Sequence, residues 1–188
     1  NKIGSEAVGI FGLVMSVYMF VVTLATSGIG LACTCIVSEQ FTSNNFVNGI
    51  KAVRSCILFS LILGLSCSLL VLIFGEVIAG IWLKSAISSK PIFLISIGLP
   101  FISISSVLNG YFSAVRKSYK SAISQGFELF IKITITIILL NFYASQSLEE
   151  ICICLILADV ISEVCSCLLM LFLYSHSRSF FVCDTLIM

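Results

Sequence analysis

Long apolar segments separated by short polar ones make up most of the chain. A helix needs about 20 apolar residues to cross the hydrocarbon core of a membrane. Five segments are long enough, and they cover residues 10–37, 57–82, 92–112, 122–143 and 151–174. Membrane-spanning β-strands would instead alternate polar and apolar residues over about 10 positions. The pattern therefore predicts an all-α integral membrane protein with five transmembrane helices.

Composition supports this prediction and excludes other classes of protein. Of the 188 residues, 59% are hydrophobic and 10% are charged, whereas a soluble domain carries about 25% charged residues. A soluble fold of this size needs more polar surface than such a sequence supplies. The formal net charge of +1 also creates no field that would attract a polyanion. We therefore expect a chain embedded in a lipid bilayer, without a nucleic-acid partner.

The basic residues of the polar segments predict the orientation of the chain. Cytoplasmic loops of membrane proteins carry an excess of Lys and Arg. One side receives six such residues, which are Lys51, Arg54, Arg116, Lys117, Lys120 and Arg178, and the other receives Lys2, Lys84 and Lys90. The first side should be cytoplasmic, which makes this a multi-pass protein of the cytoplasmic membrane with Asn1 outside. Because no signal peptide is visible, we expect a further transmembrane helix before residue 1.

The fourth apolar segment contains ionisable side chains, each of which costs about 2.5–3.5 kcal/mol near the centre of a membrane helix. Five polar residues follow one another at spacings of four, three, four and four residues, so they lie on one face of a helix: Ser121, Gln125, Glu128, Lys132 and Thr136. Glu128 and Lys132 also stand in the order that favours an ion pair four residues apart. The segment is therefore predicted to present one polar stripe.

The fifth segment carries a second stripe, formed by Asp159, Ser162, Glu163 and Ser166. Two carboxylates one helical turn apart repel each other when both are ionised, so one should be protonated or paired with a cation. Lys132 on the neighbouring helix is the predicted partner. Two interpretations stay open at this point, a structural ion cluster and an aqueous cavity or proton relay. Under the second, the candidate transport residues are Gln125, Glu128, Lys132, Asp159 and Glu163.

Other positions indicate how the helices pack. Small residues four apart let two membrane helices approach closely, and Ser60, Gly64 and Ser68 form such a ridge. Two shorter ridges lie in the first segment, Gly28 with Ala32 and Gly30 with Thr34. In the third segment, Pro100 has no N–H to donate to the carbonyl of Ser96, which predicts a kink.

The sequence offers no recognisable catalytic or metal-binding motif. The cysteine pairs 33/35, 152/154 and 165/167 are two residues apart, so their side chains point to opposite sides of a helix and do not chelate one ion. A disulfide framework is typical of small secreted chains rather than of lipid-embedded helices. No H-E-x-x-H sequence and no glycine-rich phosphate loop is present. We therefore expect no enzyme, no metal site and no cofactor.

Four short motifs resemble a known family in both order and spacing. They are IGSEAVGIF at 3–11, TLATSGI at 23–29, NGYF at 109–112 followed by AISQGFE at 122–128, and ADVISE at 158–163. The corresponding segments of the stage V sporulation protein B-like polysaccharide flippases read "lGaeglGly", "tlatgGip", "GyF…A.sQ..Eq" and "GetiSe". The first of these is a loop after the family's first helix. Together the motifs extend over nearly the whole chain.

The resemblance implies a fold and a function. Members of that family have two six-helix lobes around a cavity that opens alternately to each side of the membrane, and they belong with multidrug-extrusion and lipid II flippase proteins. The five helices would then be helices two to six of the N-terminal lobe, without the first helix and the second lobe. The implied substrate is a lipid-linked oligosaccharide or cell-wall precursor. The chain departs from the family pattern at Lys132, where Arg is common, at Asp159, where Glu is common, and at Gly30, where Pro is frequent.

Two other functions stay open from the sequence. The same superfamily contains ion-coupled exporters of small drugs, and one lobe does not reveal the width of the cavity. Alternatively, the chain is a truncated or accessory membrane protein without transport of its own, since five helices do not enclose the family's cavity by themselves.

Overall fold

The computed structural model describes residues 5–26, 28–43, 46–82, 90–143 and 148–185. These residues form helices and short turns, with no strand among them. Five stretches are long and apolar enough to cross a membrane, which confirms the predicted fold class: Met15–Thr42, Asn48–Gly75, Ile92–Ala114, Ser118–Asn141 and Ile153–Ser177. The helices are α1 Ser5–Thr26, α2 Ile29–Thr42, α3 Phe46–Trp82, α4 Lys90–Ala114, α5 Ser118–Tyr143 and α6 Leu148–Thr185.

Several helices extend beyond the apolar segments. The α3 helix begins at Phe46 rather than near residue 57, and α6 continues to Thr185 rather than ending near 174. The apolar segments leave residues 38–56 between the first two of them, whereas only residues 43–45 lie between α2 and α3. Hydropathy detects the part of a helix inside hydrocarbon, whereas backbone hydrogen bonds continue into the interface. The motif at 3–11 begins in the part left undescribed, although the backbone is helical from Ser5 onward.

The first predicted segment is two helices rather than one. Gly28 precedes α2 with a φ of 73°, in the left-handed region, where a residue with a Cβ would be strained. No atom lies within 4 Å of the place that its Cβ would occupy. Among the described residues, Gly28 and Ala32 of the predicted packing ridge are both exposed, and Gly28 allows the chain to turn between α1 and α2.

The α4 helix is central and contacts all five other helices. Two apolar clusters surround it, one toward each end. The first joins α4 to α1, α3 and α6 through Tyr18, Val21, Val71, Ile92, Ile95, Leu99 and Ile156. The second contains Ile29, Cys33, Val37, Val53, Val107, Leu108, Tyr111, Phe112 and Met170. Through residues such as Val37, Val53 and Phe112, the second cluster places α2, the start of α3 and the end of α4 together.

That end of the bundle carries the basic residues that the charge count placed on one side. Lys51 and Arg54 lie in the first turns of α3, and Arg116, Lys117 and Lys120 lie around the turn between α4 and α5. This turn closes α4 through a hydrogen bond from the N–H of Lys117 to the carbonyl of Phe112 at 2.9 Å. The side chain of Arg178, together with Lys2 and Lys84, falls outside the described part of the chain. The basic end is thus a feature of the fold, and its cytoplasmic location stays a prediction.

The ridge of Ser60, Gly64 and Ser68 lies where α3 meets α4. Ser60 and Gly64 are buried, and Ser68 is half-buried. A Cβ on Gly64 would lie 2.7 Å from the Oγ of Ser103 and 2.9 Å from the Cα of Pro100. The backbone of α3 therefore approaches α4 at Pro100 itself, inside a helix that continues on both sides of the proline.

A second close approach joins α2 to α4. A Cβ on Gly110 would collide with the carbonyl oxygen of Gly30, and one on Gly30 would lie 2.9 Å from the carbonyl oxygen of Ser106. The hydroxyl of Thr34 donates to the carbonyl of Gly110 at 3.0 Å and to that of Gly30 at 2.9 Å. The pairing of Gly30 with Thr34 in the sequence thus lies at a helix crossing.

The outer surface of the described bundle is apolar. Large hydrophobic side chains are exposed on every helix, among them Phe20, Leu31, Phe59, Ile97, Phe130 and Phe172. In water, so large an apolar surface would cause aggregation. In a bilayer the same side chains contact lipid or further protein, which is what a membrane protein requires.

Candidate functional site

An ion pair joins the two predicted polar stripes inside the membrane-spanning region. The Nζ of Lys132 on α5 lies 2.6 Å from the Oδ1 of Asp159 on α6. Asp159 is buried, with 8% of its side chain exposed, whereas 40% of the Lys132 side chain is exposed. The predicted pairing of Lys132 with a carboxylate of the neighbouring helix is confirmed. Among the described residues no ion pair joins Lys132 to Glu128, so the pair expected within α5 is wrong.

A third helix reaches the same place through Tyr18. The phenol of Tyr18 on α1 donates a long hydrogen bond of 3.3 Å to Oε1 of Glu163 on α6. Tyr18 is buried and Glu163 is half-buried. Sequence reasoning did not select Tyr18, although a phenol in the middle of an apolar segment is a signal that could have drawn attention to it, because a buried hydroxyl needs a partner.

Glu128 completes a polar cluster that comprises Tyr18, Glu128, Lys132, Asp159 and Glu163. Glu128 and Lys132 lie one turn apart on α5, as Asp159 and Glu163 do on α6, and the Lys132–Asp159 ion pair joins the two helices at this place. With the three carboxylates and Lys132 ionised and the phenol of Tyr18 neutral, the formal charge of the cluster is −2. A site for an anion would normally carry a net positive charge, whereas these described residues carry a net negative charge.

Asp159 leaves one acceptor unused. Its Oδ1 faces Lys132, whereas its buried Oδ2 has no hydrogen-bond partner among the described residues. A buried carboxylate oxygen without a donor costs free energy. The position is therefore one where a hydrogen-bond donor from outside these residues would be stabilising.

Hydroxyl groups continue the polar contact between α5 and α6. The hydroxyls of Ser124 and Ser166 lie 3.2 Å apart, and both residues are buried. Ser162 donates to the carbonyl of Asp159, one turn earlier on its own helix, at 2.8 Å. The two helices thus meet along a polar seam that includes the Lys132–Asp159 ion pair.

Gln125 lies apart from the cluster. Its side chain is exposed, and its Nε2 lies 3.5 Å from the hydroxyl of Ser121, a weak hydrogen bond. Ser121 in turn donates a short hydrogen bond to the side-chain oxygen of Asn109. Gln125 therefore belongs to a chain of contacts that joins α5 to α4 toward the basic end. Of the five candidate residues, the structure brings four together.

Cys33 and Cys35 are arranged as their spacing predicts, whereas the side chain of Cys152 falls outside the described part of the chain. Cys33 is buried and Cys35 is exposed, so the two thiols lie on different sides of α2. Seven cysteines of the described part are free thiols. No group of three His, Cys, Asp or Glu side chains in the described residues has the geometry to hold a metal ion.

Comparison with known proteins identifies the family of this chain. Residues 1–186 match the profile of a family described as "Polysaccharide biosynthesis protein". The chain belongs to this family. The resemblance that the short motifs indicate is thereby confirmed, and with its five membrane-spanning stretches the chain is a multi-pass membrane protein of this family.

A curated relative agrees with the family. The chain is 25% identical over 161 residues to stage V sporulation protein B of Bacillus subtilis (strain 168). The aligned region covers 86% of this chain and 31% of the relative, so the chain spans about a third of that protein's length. No solved structure matches the chain.

Proposed function

We propose that the chain forms part of a transporter that moves a lipid-linked oligosaccharide or cell-wall precursor across the cytoplasmic membrane by alternating access. In this proposal its five membrane-spanning helices are helices two to six of an N-terminal lobe. A preceding helix and a second lobe complete the cavity. The polar cluster faces that cavity.

Family and relative support the class of function. The family is one of polysaccharide biosynthesis, and the similar Bacillus protein is named for a stage of sporulation, which is consistent with work on an envelope polymer. A membrane protein of such a pathway without a recognisable catalytic motif is better suited to moving a precursor than to modifying it.

The observation that carries the proposal is the polar cluster itself. Three helices, α1, α5 and α6, contribute Tyr18, Lys132, Asp159 and Glu163 to one place inside the membrane-spanning region. Ionisable groups at such a depth are expensive in free energy and are found chiefly where they line a water-filled pathway or bind a ligand. Lys132 and Glu163 are partly exposed rather than enclosed, which leaves them able to face such a pathway.

The test is transport by the native polypeptide, purified from its membrane and reconstituted into vesicles. A lipid-linked oligosaccharide with a fluorescent sugar should move between leaflets, as measured by its accessibility to an impermeant quencher. We expect the Glu128→Gln, Glu163→Gln double variant to lose at least about 90% of the rate, since each removed charge-assisted hydrogen bond contributes about 1.5–3 kcal/mol.

Glu150→Gln is the matched control, because it makes the same chemical change at an exposed position outside the membrane-spanning part of α6. It should flip the substrate at the wild-type rate. If the double variant flips the substrate at the wild-type rate, Glu128 and Glu163 are not part of the transport pathway. A strain that lacks the gene distinguishes the flippase from the drug-exporter alternative. Loss of a flippase should cause an envelope or spore defect and leave drug resistance unchanged.

A further inference from the structure

The polar cluster contains more hydrogen-bond acceptors than donors. Ionised carboxylates accept hydrogen bonds and donate none, and three of the five cluster members are carboxylic acids. The ammonium group of Lys132 is directed at Asp159, and the phenol of Tyr18 is directed at Glu163. One N–H of Lys132 and the phenol of Tyr18 are therefore engaged inside the cluster, whereas the acceptor atoms outnumber these donors and include the unpartnered Oδ2 of Asp159.

A lipid-linked sugar has three chemically different parts. Its hydrocarbon chain needs an apolar surface, its phosphate link is anionic and accepts hydrogen bonds, and its sugar is rich in hydroxyl donors. An anionic phosphate beside three carboxylates would be repelled, and it would leave the acceptor on Asp159 without a donor. Sugar hydroxyls satisfy both conditions, because they are uncharged and donate.

We propose that the polar cluster binds the hydroxyl groups of the sugar, and that the phosphate link of the same molecule is bound elsewhere in the transporter. This inference rests on the proposed function and specifies which part of the substrate this lobe contacts. Glu163 and Glu128 are the first acceptors, because both are partly exposed. The Oδ2 of Asp159, which Lys132 leaves without a partner, is a further acceptor.

Removing the charge of Glu163 should change the affinity for the lipid in a direction that shows which part of the lipid lies in the cluster. If a sugar hydroxyl donates to Glu163, removing the carboxylate weakens binding of sugar-bearing lipid and leaves a sugarless lipid phosphate unaffected. If the phosphate instead lies in the cluster, removing a negative charge relieves repulsion and strengthens binding of both lipids. The two arrangements therefore shift affinity in opposite directions.

The experiment measures Kd for two probes on the native polypeptide in detergent micelles. One probe is a polyprenyl diphosphate that carries a neutral disaccharide, and the other is the same polyprenyl diphosphate without sugar. We expect Glu163→Met to weaken binding of the first probe about 10-fold or more, since a hydrogen bond to a charged group contributes about 1.5–3 kcal/mol and each factor of ten is about 1.4 kcal/mol. The Kd of the sugarless probe should stay within about twofold.

Two further variants keep the test independent of folding. Glu163→Gln retains the shape and one acceptor oxygen, so it should show a smaller loss than Glu163→Met, because neutral hydrogen bonds are about half as strong as charge-assisted ones. Glu150→Gln should change neither Kd. Thermal unfolding of each variant verifies that the protein is folded in the binding experiment.

The outcomes separate this inference from the proposed function. Tighter binding of the sugarless probe by Glu163→Met, or equal weakening of both probes, overturns the inference and leaves flippase activity standing. Failure of the wild-type protein to bind either probe contradicts the proposed function, and the inference fails with it.

Discussion

Lys132 has carboxylates available on two helices, and burial decides which one it pairs with. Glu128 precedes it by one turn on α5 and is partly exposed, whereas Asp159 on α6 has only 8% of its side chain exposed. An ionised carboxylate that is removed from polar surroundings gains more from a cation than one that keeps some exposure. The interhelical pair is therefore preferred over the local one, although sequence spacing favours the local one.

This preference gives a prediction for the ion pair. Lys132→Met should lower the free energy of unfolding in detergent, because it leaves Asp159 buried without a cation. The loss should be smaller than the ~3–5 kcal/mol found for fully buried pairs, since 40% of the Lys132 side chain is exposed. Thermal unfolding measures it, with Lys51→Met as the control at an exposed cation.

The double variant Lys132→Met, Asp159→Leu provides the decisive comparison. It removes both charges, so it should recover much of the stability that Lys132→Met loses. Strictly additive losses would show that the two side chains do not interact in the folded protein.

At the scale of helices, glycine positions determine how closely α4 is approached. Gly64 brings α3 against Pro100, and Gly110 brings α4 against the backbone of Gly30. Without hydrophobic driving force between helices in lipid, such close backbone contact and hydrogen bonds like that of Thr34 supply the attraction. Gly28 has a different role, since its positive φ permits the turn between α1 and α2.

Gly110→Ala should therefore disrupt the crossing of α2 and α4. Its Cβ would collide with backbone atoms of Gly30, which do not move aside as a flexible side chain would. We expect a loss of about 1–3 kcal/mol, the usual range for overpacking, seen as a lower midpoint of thermal unfolding.

Gly126→Ala is the matched control on α5, because nothing lies within 4 Å of its added Cβ. Alanine is the better helix former by about 1 kcal/mol, so this variant should be neutral or slightly stabilised. Equal destabilisation by both substitutions would contradict the close contact between α2 and α4.

For the whole molecule, the distribution of basic residues is the property that orients the chain. The fold collects Lys51, Arg54, Arg116, Lys117 and Lys120 at one end of the bundle, and the positive-inside rule places that end in the cytoplasm. Polar-cluster residues on α1, α5 and α6 lie between the two ends, which is the depth expected for a substrate site in a transporter.

An impermeant amine-reactive reagent tests this orientation. Lys51, which is exposed at the start of α3, should be modified in inside-out vesicles and stay unmodified in intact cells. Lys90 begins α4, whose other end leads to the basic turn at Arg116. It should therefore be modified in intact cells and stay unmodified in inside-out vesicles. Mass spectrometry of the labelled peptides identifies each site, and labelling of Lys51 from outside would invert the proposed topology.

The candidate site was predictable from sequence only in part. Ionisable residues in apolar segments are rare enough that Glu128, Lys132, Asp159 and Glu163 could be selected one by one. Tyr18 could not be assigned to them, because its position beside Glu163 depends on how α1 packs against α6, 145 residues away. Spacing placed Gln125 and Ser121 on the same stripe, and the two are in contact, but spacing does not show that Gln125 lies apart from the cluster.

The class of protein, the presence of five membrane-spanning segments and the family can all be inferred from the sequence, because hydropathy, charge and short motifs are properties of each segment separately. The partner of Lys132, the position of Tyr18 and the turn at Gly28 follow only from the folded structure. Each of these depends on contacts or backbone angles that arise when helices pack. The energy of packing depends on pairs of segments, so no single segment reveals it.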